Sequence, residues 1–549
     1  MESIVLKHGM IYDGTGERPF YGDVWIAGDR IKKVGECLDA EEVSRVIELN
    51  GLAVTPGFID MHRHCDKSPL EVLKRQRTDD KDLQQNAGND YGTVLLRQGI
   101  TTVVTGHCGI SMYPLPKNQE ILRQMWDYYA PVLGKLEPFS SVTSYAKYRQ
   151  QLCSCRLPVN TGAVLGMGAV RIAVKGFSPE PLTGEERKQC QEIVSEALKQ
   201  GALGVSIGLM YLPECYGTAK ELGEILQPLK HHHGIVTAHI RGEGDSLVKS
   251  VEEVIEIGRL AGCRVEISHF KSCGVKNWNR EIYHAIERIE EARREGMNIS
   301  CDFYPYDCGS TTLMSMIPPA FTAGDIPRAL QQLSTKEGQE MLREMLKLSY
   351  SDWDNYAISL GWDKVILSSA ECSENQEKIG KSVAEIAKEF GYYDEVEAVS
   401  HILTSEHGTA AAIIQSMYPS DIDAVARLPY ASLISDAIYA ETDRPHPRMY
   451  GAFPRMIADF VKKRKVLSLE EAIKKMTSLP ASRMGIVDRG RIWEGYFADI
   501  NVFDPDKFQD RATYTQPVQY AENLAYCFVN GRLAVREDQV VDDGSGAVI

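Results

Sequence analysis

The chain has no apolar run long enough to span a bilayer, and this excludes a helical membrane-embedded protein. It has no excess of basic residues: 61 Lys and Arg stand against 76 Asp and Glu, a net charge of −15 with an isoelectric point near 5.5. A field of that sign argues against nucleic acid or an anionic membrane as partner, but not against a small anionic substrate held by local cations. The start, Met-Glu-Ser-Ile-Val-Leu-Lys-His-Gly, lacks a basic segment followed by a long apolar one, so no secretory signal is read there. A disulfide framework is absent too. The thirteen cysteines are odd in number and scattered, which fits reduced thiols and a cytoplasmic setting. Cys153 and Cys155 lie too close together and too isolated to form a zinc motif.

What is present is a soluble composition, 43% hydrophobic and 25% charged, over 549 residues, too many for one ordinary core. Residues 1–53 read as short strands (Ser3–Lys7, Met10–Tyr12, Asp23–Ala27, Ile31–Gly35, Arg45–Glu48) separated by glycine turns. Strands recur in residues 486–549, with Asn530-Gly531 as a hairpin turn. The two ends are therefore expected to build one small β-sandwich. Between them, residues 54–485 alternate β-rich runs with helical patterns. The β-rich runs are Thr101–Thr105, Thr161–Leu165, Leu203–Ile207, Ile235–Ile240, Arg264–Ser268, Asn298–Phe303 and Tyr430–Ser435. The helical patterns include Gly184–Gln200, Ala219–His231, Asp245–Ala261 and Arg280–Glu295. Such repetition predicts an α/β fold, a (β/α)8 barrel of the TIM type. Residues 312–410 break the rhythm and read as an insertion after a barrel strand, in the position of a lid.

Chemistry-bearing residues fall at the ends of these predicted strands. His62 and His64, two residues apart at the end of Pro56-Gly-Phe-Ile-Asp-Met-His-Arg-His64, point to one side if the chain is extended there. Cys108, His239, His269 and Asp436 each follow a later strand. Metal-capable residues gathered at that end of a barrel are where such enzymes build their sites. His231-His-His233 precedes Gly234 after a helical pattern and reads as a last helical turn with a glycine cap, not as a metal site.

The blocks Pro56–His64, Thr101–Ser111, Gly201–Pro213, Thr237–Glu243, Ser268–Lys271, Tyr304–Tyr306, Gly309–Leu313, Ser435-Asp436, His446–Gly451, Lys475–Ala481, Asp488–Gly490 and Gly495–Asp499 run in order along nearly the whole chain. Together they resemble the N-acyl-D-amino-acid deacylases (D-aminoacylases) of the amidohydrolase superfamily. The resemblance implies a metal-dependent hydrolase with a tightly held Zn2+ on Cys108, His239 and His269, and a second, weakly occupied position outlined by His62, His64 and Asp436. It implies that Asp436 acts as general base and acid on zinc-activated water, cleaving the linear amide of a small N-acyl-D-amino acid. Tyr304 is implied as an oxyanion donor. Lys271, Tyr211 and Ser310 are implied for the substrate carboxylate, Arg448 for that carboxylate or a second one, and Arg241 and Glu243 as supports behind His239. No lysine suits the carboxylated bridging position of hydantoinase-like relatives, and Cys108 takes that place. Met167, His107 and Ala437 depart from the family's usual residues and bear on substrate range. The alternatives are a cyclic-amide hydrolase of hydantoinase or dihydroorotase type, with two firmly bound metals, and a barrel scaffold without activity.

Overall fold

The computed structural model describes residues 3–36, 38, 43–76, 91–438 and 444–549. Among them eight parallel strands, one of them in two segments, form the barrel wall. Phe58–Asp60, Ile100–Thr105 and Asn160–Ala163 pair in one sheet, and Leu165-Gly166, Gly204–Gly208, Ile235–His239, Arg264–Ile267, Ile299–Phe303 and Ala431–Leu433 in another. Asn160–Ala163 and Leu165-Gly166 are one strand interrupted at Val164, whose N–H still donates to Thr105 O across the gap. The other seam joins the first strand to the last: Asp436 N donates to His62 O at 3.0 Å, and His64 N to Ala437 O at 2.9 Å. The strands are buried on both faces: Val205, Ile207, Val236, Ala238, Val265 and Ile267 lie on one, and Ser206, Thr237 and Glu266 on the other.

The helices form where polar caps precede apolar periodicity. Thr183 and Glu186 make a reciprocal capping box ahead of Gly184–Lys199, and left-handed Gly262 ends Leu247–Ala261. The single helix expected over Ala219–His231 is two, Ala219–Ile225 and Pro228–His231, because Pro228 supplies no N–H to continue the first. The expected glycine cap is also displaced: His233, not Gly234, takes the left-handed conformation (φ 49°), and Gly234 N donates to Leu229 O.

Both ends of the chain enter one nine-stranded sheet. Ser3–Ile11, expected as two strands, is one strand bulged between Leu6 and Gly9. It pairs with Phe20–Ala27, Arg45–Glu48 and Ala53–Pro56. Ala53–Pro56 in turn pairs with Ile500–Phe503 from the C-terminal half, followed by the hairpin Leu524–Val529 and Arg532–Arg536. Asn530 and Gly531 both have positive φ, the conformation a tight two-residue hairpin needs. Ile4, Leu6, Val24, Ile26, Ile500 and Phe528 fill the core of this unit. The passage from terminal sheet to barrel is Gly57, where a Cβ would stand 2.2 Å from Thr101 Oγ1. Between the barrel strands Ile299–Phe303 and Ala431–Leu433 lies a three-stranded antiparallel sheet, Gly309–Thr312, Ala411–Ile414 and Val365–Ser369. Four helices, Ile326–Leu333, Lys336–Leu346, Val383–Glu389 and Glu395–Ser405, accompany it.

Candidate metal centre and cleft

Every candidate ligand is delivered by the C-terminal end of a barrel strand. His239 is the last residue of its strand, while Cys108, His269 and Asp436 lie two or three residues beyond theirs. The chain must turn sharply to aim those three inward, and each adopts positive φ: 56° at Cys108, 37° at His269 and 50° at Asp436. Non-glycine residues take that region at a cost, and it recurs at functional sites. Neighbours hold the Cys108 turn: Ser206 Oγ accepts from Gly109 N at 3.0 Å, and Glu214 accepts from Gly208 N at 2.9 Å. Gly208 is obligatory there, since a Cβ would fall 2.0 Å from Cys108 O.

The side chains converge on one buried cleft. Cys108 Sγ lies 3.4 Å from His62 Nε2 and 3.5 Å from His269 Nε2. Asp436 Oδ1 is 3.4 Å from His62 Nε2 and 3.3 Å from His64 Nε2. The rings of His239 and His269 meet edge to face at 4.4 Å. Two overlapping clusters result, Cys108–His239–His269 and His62–His64–Cys108–Asp436, each with ligand atoms within 4.8 Å of one another. Burial lowers His239 and His269 well below the usual imidazole value and brings His62 to about 4, so the rings are neutral and free to donate lone pairs. His64 Nδ1 and His239 Nδ1 are buried with no hydrogen-bond partner among the described residues. A soft sulfur, neutral imidazoles and one carboxylate around unsatisfied buried nitrogens fit a borderline-soft divalent ion.

A second ring of contacts fixes these groups. Glu243 Oε1 lies 3.1 Å from His269 Nδ1, and Lys271 Nζ bonds Glu243 and sits 2.9 Å from the same Nδ1. Burial opposes the charge on Lys271, but Glu243 outweighs it and raises the ammonium above its ordinary value. Asp302 accepts from His269 N and lies 3.5 Å from His62 Nδ1. Arg448, first residue of the helix Arg448–Arg455, places Nη1 2.8 Å from Asp436 Oδ2. Burial would raise Asp436, yet the Arg448 guanidinium, with a hydrogen bond from His64, holds its carboxyl well below the usual range. Under the seam, Asp60 accepts from Ser435 N at 3.0 Å and from Arg63 Nη1 at 3.1 Å.

Comparison with known proteins extends over the full length. Residues 404–535 match the Amidohydrolase family. Three proteins of Alcaligenes xylosoxydans xylosoxydans are each 30% identical to this chain: D-aminoacylase (100% of this chain, 97% of the relative), N-acyl-D-aspartate deacylase (96% and 91%) and N-acyl-D-glutamate deacylase (96% and 92%). The chain belongs to the N-acyl-D-amino-acid deacylase family. The crystal structure of N-acyl-D-glutamate deacylase from Bordetella bronchiseptica, complexed with zinc and a phosphonate mimic of the tetrahedral intermediate, superposes with TM-score 0.80 at 28% identity. That match covers 99% of this chain and 98% of the other. A D-aminoacylase described by one-metal activation and second-metal attenuation of its binuclear centre gives 0.78, at 28% identity and 99% coverage of each chain.

In this deacylase-family chain the structure brings all eleven sequence-derived candidates together. Tyr211 packs on the His239 ring at 4.7 Å and hydrogen-bonds Thr311. Tyr304 lines the cleft beneath the Arg448 guanidinium, 4.7 Å from its ring centre. Ser310 lines it from the inserted sheet, its carbonyl 3.4 Å from Arg448 Nη2. Of the two expected supports, Glu243 reaches the site. Arg241 does not: it pairs with Glu253 and braces the carbonyls of Cys215 and Gly217. His107, one of the departures, stacks on His62 at 4.1 Å with Nδ1 3.3 Å from Thr237 Oγ1. Sequence reasoning missed Asp302, Ser206 and Glu214. The one available signal was a charged residue in an otherwise uncharged strand, Ile299–Phe303.

Proposed function

We propose that this protein hydrolyses the amide bond of N-acyl-D-amino acids, releasing a D-amino acid and a carboxylate. The observation that carries the reading is the convergence of Cys108, His239, His269 and Asp436 in one cleft of a full-length member of this deacylase family. Cys108, His239 and His269 would hold one tightly bound Zn2+, with His62, His64 and Asp436 outlining a weaker second position. When bound, zinc acts as a Lewis acid and lowers the pKa of water.

The chain's own residues supply the rest. Asp436, kept ionised by Arg448, takes a proton from the attacking water and passes it to the departing nitrogen, which leaves poorly unless protonated. Tyr304 keeps its proton, its phenol raised by burial, and donates to the developing oxyanion. Lys271, Tyr211 and Ser310 receive the α-carboxylate at the cleft wall, with Arg448 behind them. Residues 54–485 would form the catalytic unit, and 1–53 with 486–549 the terminal β unit. The cysteines of the described residues are all unpaired, in keeping with a cytoplasmic protein. No helix among those residues is long and apolar enough to cross a membrane.

Incubating zinc-loaded protein with N-acetyl-D- and N-acetyl-L-amino acids and detecting free amine tests the reading. Release from D-substrates is expected. Release from L-substrates alone overturns the stereochemistry, and ring opening of hydantoin or dihydroorotate without linear cleavage restores the cyclic-amide alternative.

A further inference from the structure

The three full-length relatives, equal in identity, carry names that differ in the charge of the amino acid released, so likeness alone does not choose among them. The cleft does. Resting on the reading above, we infer that this chain takes monoanionic substrates, N-acyl-D-amino acids with an uncharged, apolar side chain, and discriminates against those bearing a second carboxylate.

The inference follows from where charge is and is not compensated. Two cations serve the cleft, and each already faces a carboxylate: Lys271 is bound to Glu243, and Arg448 to Asp436. Among the described residues no other lysine or arginine lines it. Apart from the hydroxyls of Thr311 and Ser416, the remaining walls are uncharged and largely hydrocarbon. Ile110 and Val132 form one side, Ile414 and Tyr356 enter from the inserted segment, and Met210 and Ile438 flank the metal-capable residues. These six residues are buried or half-buried, so the walls have little water to offer a charge.

A substrate's α-carboxylate takes the donors near Lys271, Tyr211 and Ser310. A side-chain carboxylate is then left against apolar surface with no free counter-charge, where a charge that gives up its water without a partner is strongly disfavoured. An aliphatic or aromatic side chain meets the same walls and gains by covering them. Asp and Glu side chains are therefore rejected for their charge, not their size.

The test is a series of kcat/KM values for N-acetyl-D-leucine, N-acetyl-D-asparagine, N-acetyl-D-aspartate and N-acetyl-D-glutamate with zinc-loaded full-length protein at one salt concentration. Leucine is expected to exceed aspartate by more than about tenfold, on the order of 10²-fold. Asparagine, which has the shape of aspartate without its charge, is expected to fall between them. A leucine-to-aspartate ratio of about tenfold or less, or asparagine no better than aspartate, overturns the inference and leaves deacylation standing. If none of the four is cleaved while zinc is retained, the functional reading falls and this inference falls with it.

Discussion

The Arg448 guanidinium reaches within 2.8 Å of the Asp436 carboxylate, and both side chains are buried. The cation favours the ionised form, so its removal raises the carboxyl pKa. In Arg448→Met the acidic limb of the pH profile of kcat/KM is expected to move to higher pH by about 1–3 units. Lysine at that position should restore part of the shift. A limb that stays in place would mean that Arg448 serves the substrate alone.

Asp436→Asn keeps the shape and removes the base. A loss of about 10²–10⁴ in kcat is expected, with the zinc content measured by elemental analysis unchanged. Activity retained in that variant would remove Asp436 from the acid–base role.

The two clusters share Cys108 and differ in their other members, which separates their loads. After dialysis, Cys108→Ser and His239→Ala are expected to hold well under one zinc per chain. His62→Ala and His64→Ala are expected to keep close to one while turning over slowly. Zinc-free His62 or His64 variants would move those residues into the tight site.

Asp354, from the inserted segment, accepts from Glu243 N and from Gly244 N, the latter at 2.7 Å, and so sets the loop from which Glu243 reaches Lys271 and His269. Asp354→Ala leaves two buried donors without a partner, at a cost of about 1–3 kcal/mol each. Reduced kcat with little change in the KM of an N-acetyl-D-amino acid is expected from steady-state kinetics.

Asp60 is the buried counter-charge of Arg63. Asp60→Ala breaks this buried ion pair and is expected to cost about 3–5 kcal/mol, read from the urea midpoint at constant slope.

The eight-strand alternation was legible because short β-rich runs such as Ile235–His239 and Arg264–Ile267, with apolar residues at alternate positions, recur between helical patterns. The ligands were legible because they stand at the ends of such runs. Asp302 was not, since nothing local tells a strand aspartate that meets His62 from one that meets solvent. The failure at Arg241 has the same origin: proximity in sequence to His239 does not fix which way a side chain leaves the turn. Ala219–His231 merged two helices because its periodicity persists across Pro228 while the hydrogen bonding does not.

The backbone seam that joins His62 and His64 to Asp436 and Ala437 has a consequence for how the protein is made. Asp60 and Ser435, which meet beneath it, are 375 residues apart in the chain. A ribosome must therefore synthesise most of the polypeptide before the first barrel strand finds its last neighbour. Until then Phe58–Asp60 presents an open, apolar edge, the kind of surface that invites aggregation and chaperone capture. The cluster of metal-capable residues is thus completed only once Asp436 has been made, and a chain truncated before residue 431 would lack both that residue and the last barrel strand.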